Sequence, residues 1–324
     1  MRRLTAFAAA TLGTTLGSAQ PTFYGLTTAD LASGAATVAT IDLATGLATP
    51  LFDIAFTPGL RTGSIEFHDP TGLLVSRFRD DSAPEGDARF TFVTIDPISG
   101  DTTTVQFSGL PSNTATLEGL AYDPAVDELL ITYGDATLES MTIAVLGLDG
   151  SVSNSVSPIA GVTDIDSLAH DDFEGRLEGS DFNGLASPRY FVVNDPLTTP
   201  GVTPLFDTVR SNNVGDIAID PRSGDLFATG FGPFDRNVVK VKPEAYDPIG
   251  DNGLDRNIVG IAFGPDAAGK ADLVAPFGIV SQADVAAFIT LFFNNDPRAA
   301  ALAPPLDIVS QADVAEFVSL FFAG

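Results

Sequence analysis

From Phe23 to Phe263 the apolar positions fall in short runs separated by Gly, Pro, Asp and Ser, the pattern of short β-strands joined by tight turns. One phrase recurs. It reads Ile65-Glu66-Phe67-His68-Asp69-Pro70, Gly119-Leu120-Ala121-Tyr122-Asp123-Pro124, Ser167-Leu168-Ala169-His170-Asp171-Asp172, Asp216-Ile217-Ala218-Ile219-Asp220-Pro221 and Gly260-Ile261-Ala262-Phe263-Gly264-Pro265. Counted from the Asp (Gly264 in the last copy), the spacings are 54, 48, 49 and 44 residues. Each phrase predicts an apolar strand ended by a turn, because Asp-Pro does not continue a central strand. A second strand follows, as at Glu128 to Tyr133 and Leu226 to Thr229. The third is predicted at Phe90 to Ile95, Thr142 to Leu146, Tyr190 to Val193 and Val238 to Val241. Turns of the Asp-x-x-Thr/Ser-Gly kind, at Asp42 to Gly46 and Asp96 to Gly100, lead to a fourth.

Four short strands per unit, repeated, predict an all-β fold, a β-propeller. A β-sandwich also has many short strands, but it supplies no reason for a recurring phrase. Phe23 to Phe52 holds the second, third and fourth strands without the phrase, and Gly260 to Pro265 holds the phrase without the strands. Joined, they complete one blade and close a ring of five blades, or of six or seven if weaker repeats count.

The pattern changes after residue 266. Residues 272 to 293 and 301 to 322 match at an offset of 29, with IVSQADVAAFITLFF returning as IVSQADVAEFVSLFF. Apolar Val285, Phe288, Ile289 and Phe292 recur at helical spacing, as do Val314, Phe317, Val318 and Phe321. Ser281 and Ser310 cap these helices, with Asp284 and Asp313 three residues on as in a capping box. Neither helix buries its Phe-rich face alone, so the two are expected to pack together as a small all-α unit.

The amino terminus reads as an export signal. Arg2 and Arg3 precede an apolar run from Leu4 to Leu16, and Gly17-Ser18-Ala19 offers small residues for cleavage. The run is too short to span a bilayer. The expected organisation is a signal peptide over 1–19, a propeller over 20–266 and a helical tail over 267–324, in a secreted, periplasmic or cell-surface protein. Removing residues 1–19 with their two Arg moves the formal charge from −26 to −28. So negative a chain neither neutralises phosphates nor docks on an anionic membrane. Cysteine is absent, which excludes disulfides and thiol chemistry.

Two resemblances enter here. Ala-Asp-Leu-x-x-Pro-Phe-Gly at 271 to 278, followed by a capped Asp-Val-x-x-Phe helix, resembles the bacterial GC-type dockerin domain. The second copy departs from it, reading Ala-Ala-Leu-x-x-Pro-Leu-Asp at 300 to 307, and the chain lacks the family's Cys near its end. The resemblance implies anchoring or assembly through a cohesin-like or cell-envelope receptor. It also implies calcium, for which Asp272, Asp284, Asp307 and Asp313 are the available carboxylates. The residues themselves speak against calcium: read as EF-hand loops, the two copies put one oxygen ligand, Asp272, in ten ligand positions. The body resembles exported YVTN- and NHL-type propellers in pattern.

No Gly-x-Ser-x-Gly, Ser-x-x-Lys, His-Glu-x-x-His or phosphate loop occurs. His68 and His170 share the repeat slot of Tyr122, Ile219 and Phe263, which favours a structural role over a catalytic pair. The candidate site is a ring of polar residues leading into the phrases: Arg61, Glu66, Glu118, Asp164, Asp166, Asn213, Asp216, Arg256 and Asn257. Converging at one channel mouth, they could hydrate it, hold a cation such as calcium, or bind a glycan or protein. Arranged as acid and base they could open a lactone or a glycoside. Seven carboxylates from Asp164 to Asp181 end in Asp-Phe-Asn-Gly, a fragment of a calcium loop and also an ordinary turn. The leading reading is a non-catalytic binding or scaffold protein. The alternative is a channel-mouth hydrolase or lyase similar to gluconolactonases, a likeness carried by Glu118-Gly119 and the nearby Asn and Asp residues.

Overall fold

Side-chain-capped turns cut the body into strands. Asp42 Oδ1 accepts the N–H groups of Ala44 and Thr45 at 2.7 and 3.2 Å, and Gly46 closes the turn at a φ of 76° that other residues resist. Asp96 repeats this on Ile98 and Ser99, and Asp220 caps Arg222.

The computed structural model describes residues 21–264 except 29–33, 58, 136–140, 158, 160–161, 163–164, 182–189, 207–213, 231–236 and 243–244. In the C-terminal part it describes 282–293, Val314, Phe317 and Val318. The body begins with β1 (Phe23–Thr27), β2 (Ala35–Ile41) and β3 (Ala48–Ala55). Four antiparallel sheets follow in chain order. They are β4 (Leu60–His68) to β7 (Thr102–Gln106), with β5 at Leu73–Asp80 and β6 at Phe90–Ile95, then β8 (Thr114–Asp123), β9 (Glu128–Asp135), β10 (Met141–Leu146) and β11 (Val152–Val156). Next come β12 (Ser167–Asp171), β13 (Arg176–Ser180), β14 (Tyr190–Asn194) and β15 (Gly201–Phe206), then β16 (Val214–Ile219), β17 (Leu226–Gly230), β18 (Asn237–Lys242) and β19 (Ala245–Asp251). Finally β20 (Ile258–Phe263) returns to pair with β1, Phe23 opposite Phe263 and Tyr24 opposite Ala262. The chain is a five-bladed β-propeller whose first blade is closed by its last strand.

Strands β4, β8, β12, β16 and β20 neighbour one another around the axis. Each seam between blades holds its own apolar cluster. Ile65 and Phe67 meet Leu26 and Ala262 between blades 1 and 2, whereas Leu120 and Tyr122 meet Val75 and Phe92 between blades 2 and 3. Ala121 meets Leu168, Ala169 meets Ile217, and Ala218 meets Ile261 at the remaining three.

These partners correct the alignment of the repeat in blade 2. Ile65 pairs with Ser76 as Leu120 pairs with Ile131, and Phe67 pairs with Leu74 as Tyr122 pairs with Leu129. The equivalent segments are therefore Ser64 to His68, Gly119 to Asp123, Ser167 to Asp171, Asp216 to Asp220 and Gly260 to Gly264. His68 matches Asp123, not Tyr122 or His170. The four-residue turn sets this register: the His68 carbonyl accepts the Gly72 N–H, as the Asp171 and Asp220 carbonyls accept those of Gly175 and Gly224. Asp69-Pro70 comes one residue later than the other Asp-Pro pairs.

Described by itself, the C-terminal unit contains helix α1 (Gln282–Phe293). The Phe288 and Phe317 rings, at matching positions of the two copies, stack at 4.2 Å and 10°. Both are buried, while their neighbours Ile289 and Val318 stay 48% and 46% exposed, so the apolar faces are only partly covered. Residues 1–19 with the signal-peptide reading, and the metal candidates Asp272, Asp307 and Asp313, lie outside the described residues, as does the side chain of Asp284. Among the described residues, no helix is long and apolar enough to cross a membrane.

Candidate functional site in the channel

The innermost strand of each blade has one edge without a sheet partner, and its N–H groups need acceptors. Asp216, at the start of the phrase in β16, supplies them. Its Oδ2 accepts the N–H groups of Ile261 at 3.0 Å and Ile65 at 3.3 Å, and its Oδ1 accepts the Ser167 hydroxyl at 2.7 Å. Ser167 Oγ accepts the Ile217 N–H at 2.9 Å, and the Asp216 N–H donates to Thr229 Oγ1 at 2.9 Å. One carboxylate thus joins blades 1, 2, 4 and 5. Burial raises it to about 7, against the hydrogen bonds that favour its charge.

The seam between blades 2 and 3 holds a second polar group. Arg77, buried on β5, donates through Nη2 to Glu118 Oε2 and to the Glu118 carbonyl, both at 3.0 Å. Ser64 Oγ donates to the same carbonyl at 3.2 Å. Gly63 makes this room, since a Cβ there would lie 2.7 Å from Arg77 Cζ. Glu66 stands on β4 in the slot that Ala121, Ala169, Ala218 and Ala262 fill elsewhere. Burial holds its carboxyl well above the usual carboxylate range, and the charges of Asp216, Asp69 and Asp172 push the same way.

Other residues of the expected ring make contacts of their own. Arg61 is an exposed side chain paired with Asp81 at 2.7 Å, and Arg256 Nη1 donates to the Ala35 carbonyl at 2.8 Å. The Asp166 N–H donates to the Ser180 carbonyl at 2.8 Å. Asn257 gives its carbonyl to the Thr28 N–H at 2.8 Å. Asp164 and Asn213 lie outside the described residues. Asp181, the start of the calcium-loop fragment, is buried just beyond β13. Among the described residues, no three His, Asp or Glu side chains come together as a metal-ligand set. Sequence reasoning missed Arg77 and Ser167, although an Arg inside the apolar run Leu73 to Phe78 was a visible signal.

At the opposite mouth the two histidines lead separate lives. His170 Nδ1 lies 2.7 Å from Asp172 Oδ1, and its Nε2 lies 3.6 Å from Asp123 Oδ1 of the adjacent blade. Burial alone would lower His170, but the hydrogen bond and charge of Asp172, with Asp123 and Asp171, raise it above the ordinary imidazole value. His68 packs edge-on against Tyr122 at 4.9 Å, and burial lowers it. The Tyr122 hydroxyl donates to Asp127 Oδ1 at 2.9 Å.

No family model matches the chain. No curated protein matches it. Solved structures similar to it include a chain of the nidogen/laminin complex, at 13% identity over 77% of this chain and 86% of that one, with a TM-score of 0.45. TolB from Acinetobacter baumannii is 10% identical over 77% of this chain and 57% of its own, with a TM-score of 0.44. A luciferin-regenerating enzyme is 16% identical over 71% and 81%, with a TM-score of 0.39. Similarities this distant bear on neither ligand nor chemistry.

Proposed function

We propose that this chain is an exported binding or scaffold protein whose propeller recognises a protein or glycan and whose dockerin-like tail anchors or assembles it. The supporting observation is that two of the channel carboxylates, Glu118 and Asp216, are already engaged. Arg77 holds Glu118, while Ile65, Ile261 and Ser167 hold Asp216. Neither carboxylate is free to serve as acid or base toward a lactone or glycoside, so recognition falls to the faces of the disc. The stacked Phe288 and Phe317 support the tail's kinship with paired-repeat domains.

The test uses the labelled full chain on a glycan array, beside a panel of lactones and aryl glycosides. Saturable binding without turnover is expected. Turnover lost in Glu118→Gln would replace this reading with a hydrolase. For the tail, fractionated cells expressing the full chain should retain it, and a chain ending at residue 266 should be released. Equal retention removes the anchoring role.

A further inference from the structure

The inner strands β4, β8, β12 and β16 each end in a turn at the histidine-bearing mouth, and each of these turns is tied to the next. Between blades 2 and 3 the His68 ring meets Tyr122 edge-on at 4.9 Å, and the Tyr122 hydroxyl donates to Asp127 Oδ1 at 2.9 Å. Between blades 3 and 4 His170 lies 2.7 Å from Asp172 and 3.6 Å from Asp123. Between blades 4 and 5 Phe173 lies over Gly224, where an added Cβ would touch its Cδ1 at 3.4 Å. Two neighbouring turns of this ring expose a large apolar side chain, Val126 at 52% and Phe173 at 61%. Over residues 68–72, 123–127, 171–175 and 220–224 the turns hold seven carboxylates against one arginine, Arg222. Asp127, Asp172 and Glu174, beside the two apolar residues, are exposed.

We propose that this ring of turns is a docking face for a basic protein segment, one that sets Lys or Arg among aliphatic or aromatic side chains. Val126 and Phe173 lose their water against the apolar groups of such a partner, while its cations meet Asp127, Asp172 and Glu174. A neutral glycan can stack on Phe173, but it strips water from those carboxylates and returns no charge. A second copy of this chain brings a formal charge of −26 and is repelled. The side-chain contacts between turns hold the face in place before the partner arrives, so docking orders little. This inference rests on the reading of the propeller as a recognition module and supplies the face and the partner's chemistry.

The probe is a labelled, soluble Lys/Leu peptide titrated into the full chain by fluorescence anisotropy at about 0.15 M salt, beside a Lys/Ser peptide of equal charge. The Lys/Leu peptide should bind saturably, and the Lys/Ser peptide about tenfold or more weakly. Val126→Ser combined with Phe173→Ser should weaken the Lys/Leu peptide about tenfold or more, whereas Ile98→Ser, on an outer turn of blade 2, should change it less than about twofold. His170 gives a local readout: cations arriving at Asp172 should lower its NMR titration midpoint, and the double variant should lose that shift. No binding of the Lys/Leu peptide, or equal binding by wild type and the double variant, would overturn the proposal. Glycan binding lost in the double variant, with no peptide binding, would give the face to a sugar and overturn it too. Glycan binding untouched by the double variant, again with no peptide binding, would remove this face and leave the recognition reading standing. A chain silent toward glycans and peptides alike would remove both.

Discussion

Asp216 and Ile65 are 151 residues apart in the chain, yet the carboxylate of one accepts the backbone N–H of the other at 3.3 Å. The same oxygen takes the Ile261 N–H, so blades 1 and 2 meet on a side chain that belongs to blade 5. Asp216→Ala would strand two buried amides and the Ser167 hydroxyl. At about 1–3 kcal/mol for each stranded group, the loss should be at least about 3 kcal/mol by urea unfolding.

Asp216→Asn separates charge from hydrogen bonding. The folded carboxyl, at about 7, sits above its ordinary 3.8, so it favours folding at low pH and loses that advantage as pH climbs through 7. The variant should be less stable at pH about 4 and show a flatter stability profile from there to pH about 7. A slope identical to wild type would contradict the assignment.

Arg77 and Glu118 should be coupled. Removing one partner of a buried pair costs about 3–5 kcal/mol, and the 23% exposure of the Glu118 side chain reduces this to about 2–3 kcal/mol for Arg77→Met. In a double-mutant cycle with Glu118→Gln, the double variant should recover more than about 1 kcal/mol of the summed losses. Additive losses would mean the pair contributes through shape alone.

The chain has only two histidines, so an NMR titration resolves them. His170 should titrate above 6.5 and His68 below it. By linkage, His170 stabilises the fold fully below pH 6.5 and loses this as pH rises through its folded value. Asp172→Asn should bring His170 down while leaving His68 in place.

In the tail, Phe317→Ala removes half of the ring stack. A buried Phe replaced by Ala costs about 3–5 kcal/mol, enough to melt so small a unit. Circular dichroism of residues 266 to 324 should show helix that survives a strong chelator and disappears in the variant. Helix lost on chelation and restored by calcium would show that metal, not ring packing, holds the unit.

Strand positions were legible because turns and apolar runs are local. Phe90 to Ile95 matches β6 to the residue, and the pairing of the strand that holds Gly260 with the strand that holds Tyr24 followed from the incomplete end repeats. The blade 2 register was misread because Asp69-Pro70 imitates the other Asp-Pro turns. The strand pairing of Ile65 with Ser76, together with the Gly72 N–H on the His68 carbonyl, reveals the offset. The ring of polar residues was legible as residues but not as an arrangement. Arg61 and Arg256 find partners on Asp81 and Ala35, and no spacing in the chain announces which way a long side chain turns.

The closing strand also ties the two ends of the body to one place. β20 lies antiparallel to β1 over five residue pairs, from Phe23 with Phe263 to Thr27 with Ile258, so strands from the beginning and the end of the body share one sheet. The other four sheets are each built from four strands consecutive in the chain. A body trimmed at either end would therefore open at blade 1, and a cut through any other blade's outer loop would leave that closure in place.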